Sequence, residues 1–444
     1  MTRFSQDRQI QSWGRVFGGR HQLATPVHRC DLHDVFEAAC KQDLPVLGFG
    51  LGRSYGDSNL NPDGLLLDGR ALDRFIEFDR ATGSLTAEAG VSLDEILRIS
   101  VPAGFFLPTT PGTRFVTIAG AVANDVHGKN HHGAGCFGNA VRRIGLFRSR
   151  EGAMTLSREE NAELFAATIG GLGLTGLISW VEVQLVPIAS AYIEESRTAF
   201  ANVNAFFDLA SDAGTRFEHS VAWVDCTARG DSLGRGVFFG GNWSDRGGLT
   251  VHRDAGPTLP LDLPASSLNP LTLGMFNALY RAHSSMRPKA SLVHYAPFFY
   301  PLDRIRGWNR LYGPKGFFQY QSVVPMARAR TATREMLDVI SASGQGSMLA
   351  VLKTFGERRS PGLLSFPMEG VTLALDFKNS GVRTMQVFDA LDAIVLRHGG
   401  RLYPAKDGRM SGETFRAGYP DWERLEGLRD PLISSAFWRR VMAE

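Results

Sequence analysis

Glycine placement constrains this chain more than any other feature. The run Gly48-Phe49-Gly50-Leu51-Gly52-Arg53-Ser54-Tyr55-Gly56-Asp57, continued by Ser58 and Asn59, puts four glycines into ten residues. Such spacing lets a backbone approach a ligand closely, because no Cβ stands in the way. It invites comparison with the dinucleotide fingerprint, which needs an acidic residue about twenty positions on, and Asp68 is so placed. That fingerprint must open a helix. Here Asn61, Pro62, Asp63 and Gly64 follow, which is turn chemistry. A doubly wound nucleotide domain is therefore excluded at this point. What remains is a glycine-rich loop whose N–H groups can serve as anion donors.

Three further glycine clusters lie at 112–138, 170–176 and 230–248. The first two share the opening two hundred residues with 48–56, which suggests one glycine-built binding surface; 230–248 is expected to be loop. Around them, Leu44 to Gly48, Leu65 to Leu67 and Leu85 to Ala87 have the composition of strands. Leu93 to Ile99 has helical spacing, with Ser92 and Glu95 as a capping box. After Pro187 the texture changes to longer amphipathic segments and aromatic strands such as Phe317 to Val324. A domain boundary is expected there, as 444 residues exceed one ordinary core.

A 43 % hydrophobic and 21 % charged chain can bury its cores without a membrane or disulfides. A net charge of +3 is too small and scattered for nucleic acid. The cluster Arg142, Arg143, Arg148 and Arg150 suits a solvated face, or an anionic headgroup. Cys30, Cys40, Cys136 and Cys226 show no CxxC spacing and read as free thiols. Arg3, Gln6, Asp7 and Arg8 interrupt any early apolar run, so no signal peptide is expected. Leu164 to Val181 has the length of a membrane span, but Gly170, Gly171, Gly173 and Gly176 make it a buried loop leading into a strand. The expectation is a soluble, cytoplasmic protein, with peripheral membrane association left open.

Chemistry concentrates in a few segments. Pro111-Gly112-Thr113-Arg114 precedes Thr117-Ile118-Ala119-Gly120-Ala121, whose small residues would let a flat ring lie against the backbone. Then comes Asn124-Asp125-Val126-His127-Gly128-Lys129-Asn130-His131-His132. His127 and His131 stand four apart, but no Cys or carboxylate completes a metal-ligand set, and a structural role is preferred for at least one of them. Gln319 and Gln321 alternate with Phe318 and Tyr320, so on a strand both amides point to one face.

Taken together, GRSYGD, PGTR, DVHGKNHH, ELFAATIGGLGLTGLI (163–178), WNRLYGPKGFFQYQ (308–321) and RLYPAKDGR (401–409), with Lys353 before Phe355-Gly356, resemble the decaprenylphosphoryl-β-D-ribose oxidase family of the vanillyl-alcohol oxidase superfamily. The likeness runs in order through nearly the whole chain. It implies an α+β, two-domain PCMH-type FAD-binding fold. Residues 1–187 would form the FAD domain, 188–400 an antiparallel-sheet cap over the substrate, and 401–444 a segment returning to the FAD domain.

The resemblance also implies roles. FAD would contact the stretch from Phe49 to Asn59, Gly112, the segments Thr117 to Gly120 and Asn124 to His127, and also Ile178 and Tyr403. Lys406, Gln319, Gln321 and His127 would serve catalysis, and Lys353 and Tyr300 the substrate, Lys353 through its phosphate. Covalently flavinylated relatives carry a His where Arg53 stands, so non-covalent FAD is expected. Relatives in the ribose oxidase family carry a Cys where Ala374 precedes Asp376-Phe377, which removes thiol chemistry without affecting hydride transfer. Lys406 acts as a base only if burial or a neighbouring cation lowers its pKa; otherwise it orients the hydroxyl and supplies charge, the role preferred from sequence.

The activity so implied is oxidation of the 2′-hydroxyl of a polyprenylphosphoryl-β-D-ribose. An NAD(P)H-dependent keto-reductase would finish the epimerisation to the arabinose form used in cell-wall arabinan. An alditol or aldonolactone oxidase with a soluble substrate is the alternative, and a non-catalytic FAD-binding scaffold a second one. Within 228–290, Asn269 and Pro270 start a helix on which Leu271, Met275, Phe276, Leu279 and Tyr280 recur at helical spacing. A core-facing helix is the first reading; a lid whose apolar face receives a prenyl chain is the second.

Overall fold

The computed structural model describes residues 4–253, 256–264, 267–286 and 288–443; Arg3 and parts of the 228–290 stretch (254, 255, 265, 266, 287) lie outside them. Three sheets of four, five and eight strands organise the chain into an α+β fold. In the first, Leu65–Asp68 runs parallel to both Gly18–Ala24 and Val46–Phe49. Leu65, Leu66 and Leu67 are fully buried, as befits a short continuous apolar strand covered on both faces. The helix Asp31–Lys41 lays Leu32, Val35, Phe36 and Ala39 into the same core.

The second sheet is antiparallel and orders Phe75–Asp79, Ser84–Glu88, Leu177–Gln184, Val141–Arg148 and Gly152–Ser157. Helix Leu93–Ser100 begins with the expected capping box, in which Ser92 accepts from the Glu95 N–H and the Glu95 carboxylate accepts from the Ser92 N–H. Residues 164–181 form the end of helix Ala162–Thr168, a glycine turn and the start of Leu177–Gln184. No described helix is long and apolar enough to cross a membrane.

Beyond Pro187 the chain enters the eight-stranded sheet at Tyr192–Phe200. Helices Val203–Arg216, Met326–Ser343 and Val382–Arg397 cover one face of it, burying Phe206, Met336, Leu337, Ile340 and Leu391. The opposite face follows the two-residue period of a strand. Glu195 and Arg197, Val221 and Trp223, Gln319 and Gln321, Val351 and Lys353, and Ala374 and Asp376 all point into one cavity. The last strand of this sheet, Arg401–Leu402, belongs to the returning C-terminal segment and pairs with Phe317–Pro325.

The expectation of loop over 230–248 is wrong in its centre. Gly236–Trp243 is a strand paired on both sides, with Tyr192–Phe200 and with His219–Val224. Its glycines mark where bulky side chains press on the backbone: a Cβ at Gly240 would overlap the Phe217 ring, and one at Gly241 would lie 2.6 Å from Ile193. Glycine in a strand signals close approach as readily as it signals a turn.

Candidate active site

A cavity of about 1080 Å³ separates the glycine loops from the polar face of the eight-stranded sheet. That is just above the ~300–1,000 Å³ range of ligand pockets, room enough for a large cofactor with a second ligand. One wall is backbone-rich. A Cβ at Gly50 would lie 2.7 Å from the Thr117 hydroxyl, and Gly52 sits at φ +63°, a left-handed conformation that glycine adopts without strain. Phe49, Leu51, Ser54, Tyr55, Gly112, Ala119, Gly120, Asn124, Val126, Ile178 and Tyr403 line this wall as well. The Ser58 hydroxyl, both amide atoms of Asn59 and His127 Nδ1 are buried there and find no hydrogen-bond partner among the described residues. Buried polar atoms without partners are costly, so a wall that keeps four of them beside bare glycine backbone fits a polar, partly flat cofactor such as FAD. Arg53 lines the cavity too, its guanidinium 4.3 Å from the centre of the Trp13 ring and bonded to the Leu51 carbonyl.

The facing wall is charged. Lys406 sits in a turn closed by its N–H to the Tyr403 carbonyl at 3.0 Å, and Tyr403 is held by its hydroxyl on the Asn124 carbonyl at 2.9 Å. This turn meets the glycine loop directly. The Tyr55 N–H donates to the Ala405 carbonyl, and Gly56 packs so tightly that a Cβ there would overlap the Asp407 carbonyl. The Lys406 ammonium lies 3.9 Å from the centre of the Tyr55 ring. Burial lowers its pKa from 10.5 to about 7, with Asp376 pulling it up and Lys353 pushing it down. Burial in turn raises Asp376 to about 7, against the bonds it accepts from the Gln319 amide at 2.7 Å and, more weakly, the Tyr312 hydroxyl at 3.3 Å. Two groups of opposite sign thus meet near neutrality, the pattern found where protons are exchanged.

Gln321 donates through Nε2 to His127 Nε2 at 3.0 Å. Burial, and then Lys353, hold the imidazole well below its usual pKa. It is therefore neutral, with its proton on the unpartnered Nδ1. Its ring packs on Phe355, Phe366 and Tyr403, while the His131 ring packs on Phe355. Lys353, expected to serve the substrate phosphate, lines the cavity, where burial lowers its pKa to about 8.

Five candidate residues are not among those lining the cavity, each for a physical reason. Gly56 is pressed against the Lys406 turn. Asp57 turns away to a bidentate pair with Arg440, both bonds 2.9 Å. Ile118 is fully buried in the hydrophobic core. Asp125 accepts from the Gly138 N–H at 2.8 Å and from the Ser365 hydroxyl. Tyr300 is buried among aromatic rings, its hydroxyl bonded to Thr110 at 2.7 Å. These residues shape the site from behind.

Sequence reasoning missed Lys129, Glu195, Arg197 and Trp223. Lys129 bonds the Phe298 carbonyl, and burial lowers its pKa to about 7. Glu195 and Arg197 pair with each other at the cavity wall. Charged residues two apart inside the strand-like Tyr192–Phe200 were the available signal, since that period aims both at one face. For Lys129 the signal was its place inside the histidine motif.

The model of an FAD binding domain family matches residues 21–157. Decaprenylphosphoryl-β-D-ribose oxidase of Mycolicibacterium smegmatis is 35 % identical over 98 % of this chain and 97 % of its own length. L-gulono-1,4-lactone dehydrogenase of Mycobacterium tuberculosis is 24 % identical over 92 % of each chain. L-gulonolactone oxidase of Mus musculus is 25 % identical over 40 % of each.

Proposed function

Because this chain belongs to the decaprenylphosphoryl-β-D-ribose oxidase family and carries an FAD binding domain, we propose that it oxidises the 2′-hydroxyl of a polyprenylphosphoryl-β-D-ribose to the 2-keto sugar. The observation that carries this reading is the disposition of Lys406, Gln319, Gln321 and Lys353 on one wall, opposite a glycine-built wall with unpartnered polar atoms. The cavity-lining residues of the expected set, Phe49–Tyr55, Ser58, Asn59, Gly112, Thr117, Ala119, Gly120, Asn124, Val126, His127, Ile178 and Tyr403, would hold FAD non-covalently, and FAD would supply the hydride acceptor.

The chain's own groups do the rest. Burial brings the Lys406 pKa to about 7 against the opposing pull of Asp376, with a smaller push from Lys353, so that Lys406 Nζ can serve as base and takes the proton of the reacting hydroxyl. Of the two roles open from sequence, where the orienting one was preferred, this reading takes the base. Asp376 faces Lys406 and takes part in balancing that proton. The Gln319 and Gln321 amides hold sugar hydroxyls, Lys353 meets the phosphate, and the aromatic rings around His127 exclude water. The cofactor domain is 1–187, the cap 188–400, and 401–444 returns to clamp the glycine loop through Asp57 and Arg440.

The keto sugar would pass to an NAD(P)H-dependent reductase that completes an epimerisation feeding cell-wall arabinan. A lipid-linked substrate also calls for peripheral contact with a membrane. Anaerobic mixing with polyprenylphosphoryl ribose should bleach the visible absorbance of oxidised FAD. Bleaching by a soluble aldonolactone and not by the lipid-linked sugar would replace this reading with the lactone oxidase alternative.

A further inference from the structure

Helix Pro270–Met286 starts as expected, with Asn269 accepting from the N–H groups of Leu271 and Thr272 at 3.0 and 3.1 Å. Its orientation overturns the core-facing reading. The inward face is made by Leu273, Asn277 and Tyr280: Asn277 donates to Asp225 at 2.9 Å, and the Tyr280 ring lies 4.7 Å from Trp223 at the cavity wall. The apolar stripe points outward, with Leu271 80 %, Met275 60 % and Leu279 64 % exposed.

This is not ordinary surface scatter. Nine of the fourteen large apolar side chains exposed among the described residues fall between Leu261 and Ile305, a concentration that marks an interaction face. The face adjoins the mouth of the cavity. Arg304, Ile305 and Arg306 line the cavity and are also exposed to solvent. Leu259 donates its N–H to the Arg306 carbonyl at 2.9 Å, so the segment carrying exposed Leu261 lies alongside.

Basic groups stand at the cavity end of the face. Lys289, Arg304 and Arg306 are exposed. The described acidic residues of 249–310 are Asp262 and Asp303, and each is already engaged by an arginine, Arg15 and Arg114 respectively. An apolar helix face beside basic groups complements an anionic bilayer, where apolar side chains enter the acyl boundary and cations meet headgroups.

We propose that the outward face of Pro270–Met286, with Leu261, Ile305 and the basic rim, docks on an anionic lipid surface and holds the cavity mouth against it. The inference deepens the polyprenylphosphoryl reading and rests on it: the sugar phosphate would enter past Arg304 and Arg306 while the prenyl tail stays in the bilayer.

Cosedimentation of the FAD-loaded full chain with vesicles tests this without substrate. Phosphatidylcholine vesicles containing phosphatidylglycerol should bind it, pure phosphatidylcholine vesicles far less, and added salt should weaken binding. Leu271→Ser with Met275→Ser and Leu279→Ser should weaken vesicle binding about tenfold or more at unchanged FAD content and melting temperature. Lys289→Glu should weaken it by a charge route that leaves the helix intact. No binding to anionic vesicles, or unchanged binding in both variants, overturns the proposal. So does a dimer seen by sedimentation velocity that the triple variant dissolves while vesicles are ignored. Vesicle binding without oxidation of the lipid-linked sugar would sink the functional reading alone, and oxidation of a short-chain analogue without vesicle binding would sink only the docking surface.

Discussion

The Lys406 ammonium stands 3.9 Å from the centre of the Tyr55 ring, joining the C-terminal turn to the glycine loop 351 residues earlier. The aromatic face tolerates a cation, yet burial still brings the lysine to about 7. Lys406→Met should therefore keep FAD bound and slow its reduction by substrate more than tenfold, over ~1.4 kcal/mol of barrier. Stopped-flow reduction at wild-type rates in an FAD-loaded variant would remove Lys406 from the chemistry.

The pH profile follows from the same geometry. With Lys406 as the base, the reduction rate rises with pH as the amine loses its proton through about 7. Asp376 raises the lysine's pKa and Lys353 lowers it. Asp376→Asn should therefore move the midpoint to lower pH, and Lys353→Met to higher pH. Shifts in the same direction in both variants, measured under single-turnover conditions, would contradict this electrostatic account.

Arg53 occupies the position at which a linking histidine stands in covalent relatives, and its side chain is committed to Trp13 and the Leu51 carbonyl. Denaturing the yellow holoprotein with acid or heat should leave all FAD in the supernatant. Flavin fluorescence persisting on the polypeptide band of a denaturing gel would count against non-covalent binding.

Gly56 does not line the cavity and packs between the glycine loop and the Lys406 turn. Gly56→Ala would drive a methyl group into the Asp407 carbonyl. The backbone must shift, costing roughly 1–3 kcal/mol of stability and displacing Lys406. The expected result is a lower melting temperature together with slower FAD reduction. A variant with wild-type melting and kinetics would show that the turn can move without consequence.

The parts legible in the sequence are those set by short-range periodicity. Ser92 and Glu95 announced their helix because a capping box is complete within four residues. Gln319 and Gln321 announced a shared face because a strand alternates. The motif around Lys406 was recognisable as a string, although its pKa was not. The misplacements have a different origin. Gly240 and Gly241 read as loop because the Phe217, Ile193 and Phe298 side chains that need their bare backbone come from other segments. Asp57 was grouped with its glycine-rich neighbours, whereas its partner, Arg440, lies 383 positions away.

By itself, then, the sequence determined the local elements, the glycine-built character of one wall and the residue types available for chemistry. Both faces of helix Pro270–Met286 are written in its 3.6-residue period, but which face meets the protein depends on Trp223 and Asp225, supplied by strand His219–Val224 and the residue just after it. Likewise Lys406, Lys353 and Asp376 have ordinary pKa values as free side chains and shifted ones here, because desolvation is a property of everything packed around them. Tertiary structure alone decided burial, and burial decided which of the charged groups can exchange protons near neutrality.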